Sequence, residues 1–138
     1  TTTQDYQLTL VAQAVAAFDQ ALQAAGLGQD VVTLQMSDFG RPLRPGSGGG
    51  SEHAWGSHLF ALGGAVNGGD VIGSFPDLTL GGPDDGDSGK NGRLVPKIST
   101  DQLGASVMRW MGLPEALQHE VFPNLVNFSQ KTIPLMRA

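Results

Sequence analysis

The sequence predicts an α/β fold, and more narrowly a piece of a larger α/β domain. Three observations lead there. A long helical stripe is followed by three short apolar runs of strand type, and two helical segments close the chain, an order typical of α/β proteins. The strands are too few, and the loops too long, for a self-sufficient doubly wound sheet. The 20 glycines are about twice the average share and have no fixed period, so a repeat architecture is not indicated.

The first element is a helix over residues 3–25. Thr2-Thr3-Gln4-Asp5 has the form of a capping box, with Asp5 near the positive end of the helix dipole. Val11, Val15, Phe18, Leu22 and Ala25 recur at alternating spacings of four and three, forming one apolar stripe expected to face a core. Gly26 and Gly28 supply the stop. A strand over 31–37 follows, built on Val31-Val32-Thr33-Leu34-Gln35-Met36. It opens into a glycine-rich loop over 38–58, which closes on a second strand at 59–63.

Asp70-Val71-Ile72-Gly73 reads as a further short strand. Residues 79–97 form a glycine-rich loop whose acidic part is expected to be solvated, because Asp84, Asp85 and Asp87 lack the spacing of a calcium-binding EF-hand. Ser99-Thr100-Asp101-Gln102 opens a helix over 100–111 as a capping box. Leu103, Val107, Trp110 and Met111 are its expected buried face, and Gly112 ends it. Pro114 suits the first turn of a helix over 114–121. The remainder, 122–138, reads as an irregular tail.

Composition excludes several classes. With 138 residues and 40% hydrophobic residues the chain can build one core. The net charge is −5 with the Lys and Arg scattered, so no basic stripe points to nucleic acid. No run reaches the roughly 18 apolar residues of a membrane span. With no cysteine, disulfides, thiolate nucleophiles and Cys-type metal sites are ruled out. Beginning at Thr1, the chain reads as a segment of a longer or processed protein.

The candidate site is the 38–58 loop. Polar residues just past the end of a buried strand occupy the place where open α/β sheets bind ligands. Asp38 and His53 are oxygen and nitrogen donors suited to a divalent metal such as zinc, manganese or calcium. Arg41 and Arg44 offer planar forks of donors to an anionic substrate. Glu52 is a candidate partner to orient His53, and His58, beside the second strand, is expected to be a packed or hydrogen-bonded residue behind the ligands. Each has a plainer alternative that the sequence leaves open. Asp38 can be a turn-capping carboxylate, His53 a hydrogen-bonded loop histidine and Glu52 a solvated carboxylate. Trp55 is expected to be a buried anchor for the loop. Gly46 to Gly50 is no P-loop, because no Gly-Lys-Ser/Thr follows.

Several ordered motifs carry a resemblance. They are Met36-Ser37-Asp38-Phe39-Gly40-Arg41, Glu52-His53-Ala54-Trp55-Gly56-Ser57-His58 and Gly63-Gly64-Ala65-Val66. Gly81-Gly82-Pro83-Asp84-Asp85, Thr100-Asp101-Gln102 and Phe122-Pro123-Asn124-Leu125 follow in order. Together, over residues 5–128, they resemble the C-terminal part of the bacterial domain of unknown function 1501 family, a twin-arginine-exported family of the alkaline phosphatase and sulfatase superfamily. The resemblance implies the C-terminal portion of an alkaline-phosphatase-like sheet sandwiched by helices, in the periplasm or outside the cell. It also implies a metal-dependent hydrolase of phosphate or sulfate esters, whose nucleophile lies in an N-terminal remainder of the same protein.

Asp38 matches the aspartate of the superfamily's Ser-Asp-His-Gly strand end, and His53 resembles a later histidine ligand. Phe39 stands where the motif's own histidine is expected. That departure keeps open an exported binding or accessory protein that retains the fold without catalysis. With so few strands, the chain is expected to need its N-terminal remainder, or self-association, to cover its sheet edge.

Overall fold

A computed structural model describes residues 2–137. The chain divides into two compact units, one of residues 1–34 with 61–66, the other of 35–60 with 67–138. In the first unit, helix α1 spans Thr2–Ala24. The capping box read at Thr2–Asp5 turns on the Thr2 side chain, which, like residue 1, lies outside what the structure describes. The end of α1 is as expected. Gly26 adopts φ +74°, its N–H donates to the Gln23 carbonyl and the Leu27 N–H to the Leu22 carbonyl. This pair of bonds is a Schellman stop, which needs a left-handed residue that glycine supplies without a Cβ clash.

The stripe on α1 is present in the sequence and uncovered in the structure. Val15 and Leu22 are half-buried, while Val11 and Phe18 are exposed, Phe18 to 50%. The expectation that this stripe faces a core is therefore corrected. Strands β1 (Thr33–Gln35) and β2 (Phe60–Leu62) pair into a two-stranded sheet, shorter at both ends than the expected 31–37 and 59–63. The chain is a mixed α/β protein with a small sheet. No ladder forms at residues 70–73, where a third strand was expected. Val71 is 81% exposed there, so its β-branched side chain has no neighbour to pack against.

In the second unit, helix α2 spans Thr100–Trp110 and carries the predicted cap. Ser99 Oγ accepts from the Gln102 N–H, and the Gln102 side chain accepts from the Ser99 N–H. Gly112, at φ +95°, closes it with a Leu113 to Met108 backbone bond. Its buried face is not the expected one. Leu103 is buried, but with Gln102, Ala105 and Ser106, whereas Met111 is exposed and Val107 and Trp110 only half-buried.

The reason lies in the tail, which folds back along α2. Gln102 Nε2 donates to the Gln130 carbonyl at 2.7 Å, and Ser106 Oγ accepts from the Ile133 N–H at 2.8 Å while donating to the Gln102 carbonyl. These bonds satisfy buried polar groups that would otherwise cost free energy. The expected helix at 114–121 is a 3₁₀ turn, Glu115–Leu117, running into a short α3, Gln118–Val121. A second 3₁₀ turn, Pro123–Asn127, follows. Leu125 and Leu135 join Leu103 and Ala105 as the buried apolar residues of this part.

Candidate functional site

The 38–58 loop is pinned at its neck by one antiparallel bridge. Gly40 and Ala54 exchange both backbone bonds, at 3.0 and 2.8 Å. Only glycine fits at position 40, since a Cβ there would lie 1.9 Å from the Gly56 carbonyl oxygen. The bridge sets Arg41 opposite His53, and directly opposed side chains share one face of an antiparallel pair. Phe39, two residues before Arg41, joins them. Its ring stacks on the His53 imidazole with centroids 3.8 Å apart and planes 16° from parallel, and the Arg41 guanidinium carbon lies 4.8 Å from the Phe39 centroid. Arg41 also donates to the Ser51 carbonyl at 2.6 Å.

The structure thus gathers Phe39, Arg41 and His53 into one aromatic and cationic cluster. Asp38 sits at a bend beside it with its carboxylate exposed. Among the described residues no hydrogen bond reaches that carboxylate, and no ion pair joins it to His53. Glu52 makes no hydrogen bond to His53 among these residues, while His58 stacks on Phe75 with centroids 5.6 Å apart. The Arg44 N–H donates to the Asn91 carbonyl, and its side chain is exposed. Trp55 is no buried anchor. It is 58% exposed, with one ring edge lying over Gly86.

The loop at 77–97 contains residues that sequence reasoning missed. Its aspartates are the organising centres of the segment, not a solvated acidic run. The Asp85 carboxylate accepts four backbone N–H bonds, from Gly81, Asp87, Gly92 and Arg93, at 2.9 to 3.1 Å. Asp87 accepts from Gly89, from Asn91 by backbone and side chain, and from Arg93 in an ion pair of 2.8 Å. Asp84 accepts from the Asp77 N–H and pairs with Lys97. Arg93 then donates through Nε to the His53 carbonyl at 3.1 Å. The chain of bonds Asp85, Asp87, Arg93, His53 ties the acidic loop to the candidate site. Aspartates flanked by glycine and asparagine are the sequence signal, since their carboxylates cap local N–H groups.

These bonds hold all the loop's aspartates below the usual carboxylate range. The Gly81 N–H acts most strongly on Asp85, with Asp87, Gly92 and Arg93 behind it. Gly89 leads for Asp87, Lys97 for Asp84, and Thr79 for Asp77. A carboxylate that receives several N–H donors is stabilised in its charged form.

Residues 1–86 match the sequence model of a family described as a protein of unknown function, DUF1501. The chain belongs to that family. The matched region holds the whole Phe39, Arg41 and His53 cluster and the first half of the acidic loop. It stops short of Thr100-Asp101-Gln102 and Phe122-Pro123-Asn124-Leu125, the last motifs of the sequence resemblance. No curated protein and no solved structure matches the chain. No helix of the described residues of this DUF1501 member is long and apolar enough to cross a membrane.

The donor types of Asp38 and His53 suit a divalent ion, but among the described residues no three His, Asp or Glu side chains group together to hold one.

Proposed function

We propose that the chain is the C-terminal part of an exported, metal-dependent hydrolase of phosphate or sulfate esters, working in the periplasm or outside the cell. The observation that supports this reading is the strand-end arrangement past β1: an exposed Asp38 carboxylate that accepts no hydrogen bond among the described residues, in the same loop as a bridge-pinned His53 and Arg41. In this reading an N-terminal remainder of the protein brings the hydroxyl nucleophile and the remaining ligands. Asp38 and His53 complete that ligand set. A divalent ion held there would neutralise the transferring group and lower the pKa of a bound water or hydroxyl.

The chain's own residues have simpler tasks. Arg41, held in place by Phe39 and the Ser51 carbonyl, presents its remaining N–H donors to the ester's anionic oxygens. Arg44 adds positive charge at the same loop. Arg93 fixes the backbone at His53, so that the imidazole keeps its position.

A second reading has its own observation. Phe39 covers one face of His53, and a phenyl ring in place of an expected histidine removes a donor from the site. This arrangement favours an exported binding or accessory protein that keeps the fold without turnover. One experiment separates the two readings. The protein with its N-terminal remainder is assayed on aryl phosphates and aryl sulfates with zinc, manganese or calcium added. The hydrolase reading expects turnover that falls by at least about a hundredfold in Asp38→Ala and in His53→Ala, because each removes charge stabilisation worth several kcal/mol in the transition state. Turnover that survives both substitutions removes the ligand roles. Absence of turnover on every ester leaves the accessory reading.

A further inference from the structure

Away from the site loop, α2 and the returning tail enclose a half-open groove of about 500 Å³. Its walls are fixed by the bonds that hold the tail to α2, Gln102 to Gln130 and Ser106 to Ile133, so the groove is built and not a gap between loose segments. Trp110, Ile133, Pro134 and Met136 supply an apolar surface, and Arg109 and Arg137 stand exposed beside it. Among the described residues neither arginine has a carboxylate within ion-pair distance. In a chain of net charge −5, two guanidiniums at one apolar groove are a local concentration of positive charge.

We infer that this groove binds an organic anion, a small molecule with one acidic group joined to a flat apolar body. Arg109 and Arg137 would take the acidic group through their forked donors, and Trp110 would stack against the body. The volume lies in the range of small-molecule sites, about 300–1,000 Å³. An inorganic anion would leave the apolar lining wet, and a neutral aromatic would leave the arginines without partners. The two halves of the lining together select for a ligand having both parts.

The test uses the 138-residue chain, its fold first checked by a cooperative thermal melt, and 2-naphthoate as probe. The protein's two tryptophans give two indole N–H signals in a nitrogen–proton correlation spectrum, and Trp55→Phe identifies that of Trp110. A saturable shift of the Trp110 signal is expected below about 10 mM naphthoate, with 2-naphthol and acetate each binding more weakly. Arg109→Gln with Arg137→Gln should weaken naphthoate binding by about tenfold or more, the cost of losing charged hydrogen bonds. Both arginines are exposed, so the variant's other signals should not move. A Trp110 signal that never moves, naphthol binding as well as naphthoate, or affinity unchanged in the double variant each overturns the proposal.

Discussion

Helix α1 and the acidic loop at 77–97 reverse the usual relation between regularity and order. The helix is regular over 23 residues and ends in a well-formed Schellman stop, yet its apolar stripe is uncovered at Val11 and Phe18. The loop has no helix or ladder of its own beyond one bridge between Asp85 and Leu94, yet nearly every carboxylate in it is fully used. Regular hydrogen bonding makes an element, and side chains that converge on a centre hold it in place. In α1, among the described residues, no side chain gathers such a set of hydrogen bonds. In the loop, Asp85 gathers four N–H groups from segments up to eight residues away.

The largest effect should come from removing that centre. Asp85→Ala leaves four N–H groups without their acceptor, and unmet backbone donors are costly to leave. The expected outcome is the greatest loss of melting temperature among these tests, with faster amide exchange at Gly81, Asp87, Gly92 and Arg93. A variant whose exchange at these amides matches the parent would break the comparison.

Acid should have the next largest effect, and its sign follows from the direction of the shifts. Asp77, Asp84, Asp85 and Asp87 are all held below their ordinary values in the folded state. Their contribution is therefore present above the unfolded carboxylate pKa and lost as pH falls below about 4, toward the folded values. The urea midpoint, measured from neutral pH down to about pH 3, should decline in that window, and Asp85→Ala should flatten the decline. A midpoint that rises on acidification would contradict the role given to the loop.

The smallest effect belongs to α1. Phe18→Ser removes an exposed aromatic ring and should change the stability of this chain by less than about 0.5 kcal/mol, as surface substitutions usually do. A loss of several kcal/mol in the 138-residue chain would show that the stripe is covered in solution.

Some of this molecule was determined by the sequence alone. The helices were legible because their ends are local: Gly26 and Gly112 stop α1 and α2, and Ser99 with Gln102 caps α2, each within a few residues of chain. The two strands were legible in place but not in length, since a ladder extends only as far as its partner does. The apolar run at 70–73 has the composition of a strand and no partner, so it stays unpaired. Asp38, Arg41 and His53 were enough to single out the 38–58 loop as a candidate. The stacking of Phe39 on His53 depends on a bridge between positions 40 and 54 that no local pattern records.

The tertiary structure decided two further points. The buried face of α2 turned toward Gln102 and Ser106 because the tail returns to hydrogen-bond with them. The acidic loop became a scaffold because its carboxylates found N–H donors, where composition alone predicts solvation. Propensity and capping act over one turn of chain, and the sequence states them outright. Burial and the choice of hydrogen-bond partner are settled between residues far apart in the chain, and only the folded arrangement makes that choice.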